Sequence, residues 1–87
     1  MEELKRQVQQ IITARFPDAE IELEEVPLAE KLSGHVVTAA FSGLPQRERS
    51  KILWKELREH LDSAQQQLLS AILTLSPAEY RTLLAYR

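Results

Sequence analysis

Cysteine is absent from the chain, which excludes disulfides, zinc sites built on thiolates and thiol nucleophiles. Glycine is nearly absent: Gly34 and Gly43 are the only two, and no glycine-rich loop is available to cradle a phosphate. No apolar run approaches the ~20 residues that span a bilayer. The opening Met1-Glu2-Glu3-Leu4-Lys5-Arg6 holds no apolar stretch of the kind a signal peptide requires. A soluble, cytoplasmic protein without membrane association is the expectation. There is also no excess of positive charge. A net charge of −2 and a pI near 5.7 argue against general attraction to nucleic acid, whose affinity rests on neutralised phosphates. Any nucleic-acid contact would need a local basic patch.

What is present is an ordinary globular composition. The 87 residues, 44% hydrophobic and 28% charged, suit one domain covering 1–87. A core this small must use nearly every apolar position, which leaves little room for an enclosed active site or a small-molecule substrate.

Leu4, Val8, Ile11, Ile12 and Phe16 recur at spacings of three and four, which predicts an amphipathic helix from Glu2 to Phe16, closed by Pro17. The strict alternation of Glu20-Ile21-Glu22-Leu23-Glu24 predicts a half-buried strand with its glutamates in water. Pro27 interrupts it. Leu28 to Gly34 lacks a tight-turn dipeptide and is expected to form a loop. His35 to Phe41 is β-branched at its middle and apolar on both alternating sets, as in a strand covered on both faces, and Gly43 and Pro45 break it.

Beyond Pro45 a helical wheel gathers Leu53, Trp54, Leu57 and Leu61 in one arc and Arg47, Lys51, Lys55 and Arg58 in the adjacent one. That helix would have a buried side and a positive side, and Asp62-Ser63 can end it. The following run is ambiguous. Leu68, Leu69, Ile72 and Leu73 have helical spacing, whereas Leu69, Ala71, Leu73 and Leu75 alternate as a strand. A strand from Leu68 to Thr74 is favoured because two strands alone make a marginal sheet. Ser76-Pro77-Ala78-Glu79 combines a capping serine, proline at the first helical position and glutamate at N3, and so predicts a final helix with Tyr80, Leu83 and Leu84 on its apolar side. The fold class is α+β, in the order α-β-β-α-β-α.

No catalytic constellation emerges. Ser42, Ser63 and Ser70 fall at turn, cap and strand positions without a histidine and acid to activate them. Glu20, Glu22, Glu24 and Glu25 form an acidic cluster, but alternation puts the first three on the solvent face, so they read as a solvated charge run rather than a cation site or an acid/base pair. His35 and His60 lie on different elements without metal-ligand spacing. The plainer reading makes both structural, with His35 kept as a minor ligand candidate, so no metal and no cofactor are expected. Trp54 reads as core, with partial exposure at a partner surface as the alternative. The stripe of Arg47, Lys51, Lys55 and Arg58 is the best contact candidate. Glu48, Glu56 and Glu59 share the helix, so a plain solvated face competes with a phosphate or acidic-protein contact.

Several motifs in order resemble the BolA-like proteins: Phe16-Pro17-Asp18-Ala19 before an acidic strand, His35-Val36-Val37, the Ser42-Gly43-Leu44 turn, Leu53-Trp54-Lys55-Glu56-Leu57, and Thr74-Leu75-Ser76-Pro77-Ala78-Glu79-Tyr80. The resemblance covers most of the chain. It implies a fold similar to class II KH domains, a three-stranded sheet packed against helices, and it supports the strand reading of Leu68 to Thr74. It also implies a non-enzymatic partner of monothiol glutaredoxins in iron-sulfur trafficking or redox regulation, or a nucleic-acid-binding transcriptional regulator.

The chain departs from that pattern in its ligands. The family's cluster-binding histidine in the last strand aligns with Leu68, and Leu28 to Gly34 holds neither the histidine nor the cysteine of the family's loop. His35 matches the strand-opening histidine, which is a different position. The family's Arg-His-Arg-like motif is reduced to Arg47-Glu48-Arg49, and the preceding turn is shorter. Leucine cannot coordinate iron, so the expectation is a binding module that contacts a protein partner through Gly43, Arg47, Lys51, Lys55 and Arg58 without the usual ligation. The alternative is a KH-like nucleic-acid binder using the same stripe, although Ser42-Gly43-Leu44-Pro45 lacks the second glycine of a GXXG clamp.

Overall fold

The apolar faces meet as the periodicity requires in the computed structural model of the chain, which describes residues 1–86. Helix α1 (Glu2–Arg15) buries Leu4, Val8 and Ile12, and α2 (Gln46–His60) buries Leu53 and Leu57. Strands β1 (Glu20–Val26), β2 (Lys31–Val37) and β3 (Leu69–Leu75) form one sheet in the order β1-β2-β3. The β1 pairing with β2 is antiparallel and that of β3 with β2 is parallel. Leu23, Leu32, Val36, Leu69 and Ile72 point from the sheet into one core with the two helices. Each such side chain contributes roughly 1.5–3 kcal/mol relative to exposure.

The expected loop at Leu28 to Gly34 is instead a hairpin. Pro27 sits second in a turn closed by Ala29 N–H donating to the Val26 carbonyl at 3.2 Å, and Glu30 follows with φ of 52°. This is a turn followed by a left-handed residue, a common hairpin connection that needs no Asn-Gly pair. Strand β2 therefore begins at Lys31 rather than His35. Gly34 is required where β1 passes close by, because a Cβ there would lie 1.9 Å from the Glu22 carbonyl oxygen.

The predicted strand His35 to Phe41 also stops early, at Val37. Asp18 captures the chain, accepting from Thr38 Oγ1 at 2.7 Å and from Ala39 N–H at 3.0 Å, and Ala39–Phe41 wind into a 3₁₀ turn. Those two bonds, the Thr38 hydroxyl first, hold the Asp18 carboxyl below its ordinary range. Phe41 is fully buried, edge-on to Phe16 at 5.2 Å. Of the apolar residues in this turn only Phe41 is buried, while Ala39 and Ala40 are exposed.

Helix α2 ends at His60 with Leu61 as its C-cap, and Asp62 starts a short helix, α3 (Ser63–Gln67), through a capping box with Gln65. The last strand spans Leu69–Leu75, with an irregularity opposite the Leu32–Gly34 step of β2: Leu32 pairs with Leu69, but Gly34 pairs with Ile72. That extra residue shifts the alternation, so that Leu69 and Ile72 are both buried while Leu73 is 57% exposed. Helix α4 (Pro77–Ala85) starts at the predicted capping box of Ser76 and Glu79. Tyr80 packs on His35, on the sheet face opposite the core, with ring centroids 5.2 Å apart. Its partners Leu83 and Leu84 are 49% and 41% exposed, so the predicted apolar side of this helix is only partly covered.

Candidate functional site

The four cations of the stripe, Arg47, Lys51, Lys55 and Arg58, are all exposed along α2. They recur at i+4 and i+3 spacing, which stacks them on one strip of the helix. None of them makes an ion pair or a side-chain hydrogen bond among the described residues. The acids that share the helix do not neutralise the strip: Glu56 is turned to Arg15, with Nε to Oε1 at 3.5 Å, and to His60, with Nε2 to Oε2 at 3.8 Å. Gly43, in the turn before α2, is exposed and holds φ of 79°. This left-handed backbone favours glycine. Trp54 is half-buried against the core.

Arg49, two residues from Arg47, stands apart from the stripe. Its side chain is 5% exposed and every arm is engaged. Nε donates to the Leu44 carbonyl at 2.8 Å and Nη1 to the Thr74 carbonyl at 3.1 Å. Nη1 and Nη2 also clasp the Glu79 carboxylate at 2.5 and 3.2 Å. Glu79 additionally accepts from Ser76 N–H at 2.8 Å. The guanidinium first, and that backbone bond second, hold its pKa at about 2 against an ordinary 4.5. One arginine thus joins the turn before α2, the end of β3 and the start of α4, and fixes the stripe relative to the sheet. The signal was present in the spacing: Arg49 stands four residues before Leu53 and eight before Leu57, on the buried row. A cation on that row implies an internal acceptor.

The two places where the resemblance expects cluster ligands do come together. Leu68 and the hairpin turn line one cleft of about 480 Å³ with Met1, Glu25, Val26, Pro27 and Glu30. The lining is aliphatic carbon, two carboxylates, and Met1 with its thioether and its N-terminal ammonium, which lies 3.9 Å from Glu25 Oε1. It offers neither the imidazole nor the thiolate that an iron-sulfur cluster takes from protein, so these residues do not fit that cargo in the family's manner. His35 lies on the other sheet face, half-buried between Tyr80 and Glu22, its Nε2 3.5 Å from Glu22 Oε2. His60, Glu56 and Glu59 bring their side-chain ligand atoms within 4.8 Å of one another at the end of α2. Arg15 already engages one oxygen of Glu56 there.

An α1-β1-β2-α2-α3-β3-α4 order with a three-stranded mixed sheet, α1 and α2 on one face and the capped α4 returning over the other defines a BolA-like α+β fold. The solved structure of BolA1 from Arabidopsis thaliana is similar, with a TM-score of 0.69 over 87% of this chain and 94% of that one, at 20% sequence identity. No family model matches the chain, and no curated protein does. No helix among the described residues is long and apolar enough to cross a membrane.

Proposed function

We propose that this chain is a non-catalytic BolA-like binding module, in which α2 and the turn at Gly43 dock an acidic surface of a partner protein. The monothiol glutaredoxins implied by the resemblance are the partner class to test first. The observation that carries this reading is the pairing pattern on α2: four exposed cations have no partner among the described residues, while the fifth, Arg49, is fully engaged. Cations with no internal ion pair to break can meet carboxylates directly, and they raise the encounter rate with an acidic surface. In such a complex the partner keeps its own cluster ligation, and this chain contributes contacts rather than ligands. Titrating labelled protein with a cluster-loaded monothiol glutaredoxin should move backbone amide resonances between Gly43 and Arg58. Unmoved resonances in that segment would remove the glutaredoxin reading.

The same unpaired cations also favour a second reading, a nucleic-acid contact through phosphates. Its signature would be binding to short RNA or DNA that weakens steeply with salt and is lost in a Lys51→Ala/Lys55→Ala variant. No binding at low salt would end it.

A further inference from the structure

The sheet has two edges, and they are treated differently. At β3 the Thr74 carbonyl is stoppered by Gln46 Nε2 at 3.2 Å and Arg49 Nη1 at 3.1 Å, so α2 blocks that end. Strand β1 has no such cover among the described residues. It runs seven residues in unbroken register with β2, with no bulge and no proline inside it. Alternate residues of an antiparallel strand turn N–H and C=O away from their neighbour. The Glu22 carbonyl faces β2 beside Gly34, so the outward set is Ile21, Leu23 and Glu25. None of these three backbones has a hydrogen-bond partner outside the sheet among the described residues.

The side chains along this edge select what can pair with it. Glu20, Glu22 and Glu24 all project from the face opposite the core and are exposed. Glu22 reaches only His35, at 3.5 Å, and Glu20 and Glu24 have no ion pair among the described residues. Arg81 shares a groove with Glu20 but forms no ion pair there. Beside Glu22 and Glu24 lie Leu83 and Leu84 of α4, half exposed, lining a groove of about 300 Å³ with His35 and Tyr80. A second β1 laid against this edge would set glutamate beside glutamate, which is repulsive. A strand with lysine or arginine at every second position would instead meet the three carboxylates and lay its aliphatic stems over the two leucines.

From this we infer that the β1 edge is a docking site for an extended basic segment of another protein, one with Lys or Arg at alternating positions, which adds a fourth strand to the sheet. The site lies on β1 and α4, so it stands independently of the α2 reading.

The test uses the peptide acetyl-Lys-Thr-Lys-Thr-Lys-Thr-Lys-amide and two versions of it, one N-methylated at the threonines and one at the lysines. All three carry the same charge, but only one set of amides can face β1. The parent peptide should shift the amide resonances of Ile21, Leu23 and Glu25. One methylated version should bind at least about tenfold more weakly than the other. A Glu20→Gln/Glu22→Gln/Glu24→Gln variant should lose binding, and a Lys51→Ala/Lys55→Ala variant should keep it. Equal affinities for the two methylated peptides would reduce the effect to charge attraction and overturn strand addition. No parent binding below about 1 mM would overturn the proposal outright. Shifts at the same three residues that depend on protein concentration without peptide would assign the edge to a second copy and overturn it as well.

Discussion

Arg49 and Lys51 stand two residues apart on α2, one in the interior and one in water. The buried cation has four acceptor contacts and ties three elements together. The exposed one and its three stripe companions have none within the described chain. The contrast teaches that a basic helix face is not one feature. Its cations divide into those the fold already uses and those available to something else, and only the second group supports a functional reading. Charge counting cannot make that division, because it depends on where the buried row of the helix falls.

The division can be probed from its structural side first. Leu57, next to the stripe but fully buried, should give the largest effect. Leu57→Ala removes core volume and should cost about 3 kcal/mol in urea unfolding. A loss below about 1 kcal/mol would mean that the buried row is not anchored as described. Arg49→Ala should cost about 2–3 kcal/mol, since it strands the Leu44 carbonyl, removes one of the two side-chain donors to the Thr74 carbonyl and leaves Glu79 without its cation. Arg49→Lys should restore only a minor part, because one ammonium cannot reproduce the planar fork.

A smaller, pH-graded effect belongs to Glu79. Its folded-state pKa of about 2 lies below the ordinary 4.5. Between those values the unfolded chain binds more protons, so stability rises with pH through that window. The difference in stability between the wild type and Glu79→Gln should therefore be fully present above pH 4.5 and shrink as the pH falls toward 2. A difference that stays constant across the window would sink the ion-pair account. Smallest of all, Lys51→Ala and Lys55→Ala should change stability by less than about 0.5 kcal/mol each. A larger loss in either would place that lysine among the cations the fold already uses.

Much of this architecture was legible from residue spacing. The α1 and α2 core rows, the β1 alternation and the Ser76–Glu79 capping box occur as expected because each is set by local periodicity or local hydrogen bonding. The hairpin at Pro27–Glu30 was missed because its connection carries no Asn-Gly signal; the other two failures share a physical cause. In β3 the irregularity inserts an extra residue between Leu69 and Ile72, so the buried positions stand three apart and imitate a helix. The strict alternation through Ala71 and Leu73 picked exposed positions instead. At Thr38 a contact from Asp18, distant in sequence, ended β2 before its apolar run was over. Neither event has a signature within a short window.

The candidate site was half legible. The stripe residues could be placed on one helix strip, but their lack of partners could not be read from sequence. Arg49 was visible on the Leu53–Leu57 row once that row was fixed, whereas its bond to Glu79 spans 30 residues. The resemblance correctly suggested the BolA-like fold. The proximity of Leu68 to the hairpin turn required the parallel pairing of β2 with β3.

The central claim, that the α2 cations are available for a partner, is tested most directly by calorimetric titration of a cluster-loaded monothiol glutaredoxin into the wild type and into Lys51→Ala/Lys55→Ala, with urea stability measured in parallel. The account predicts binding to the wild type that weakens by about tenfold or more in the variant, at unchanged stability. Equal binding by the two proteins, or a variant that loses stability along with binding, would contradict it.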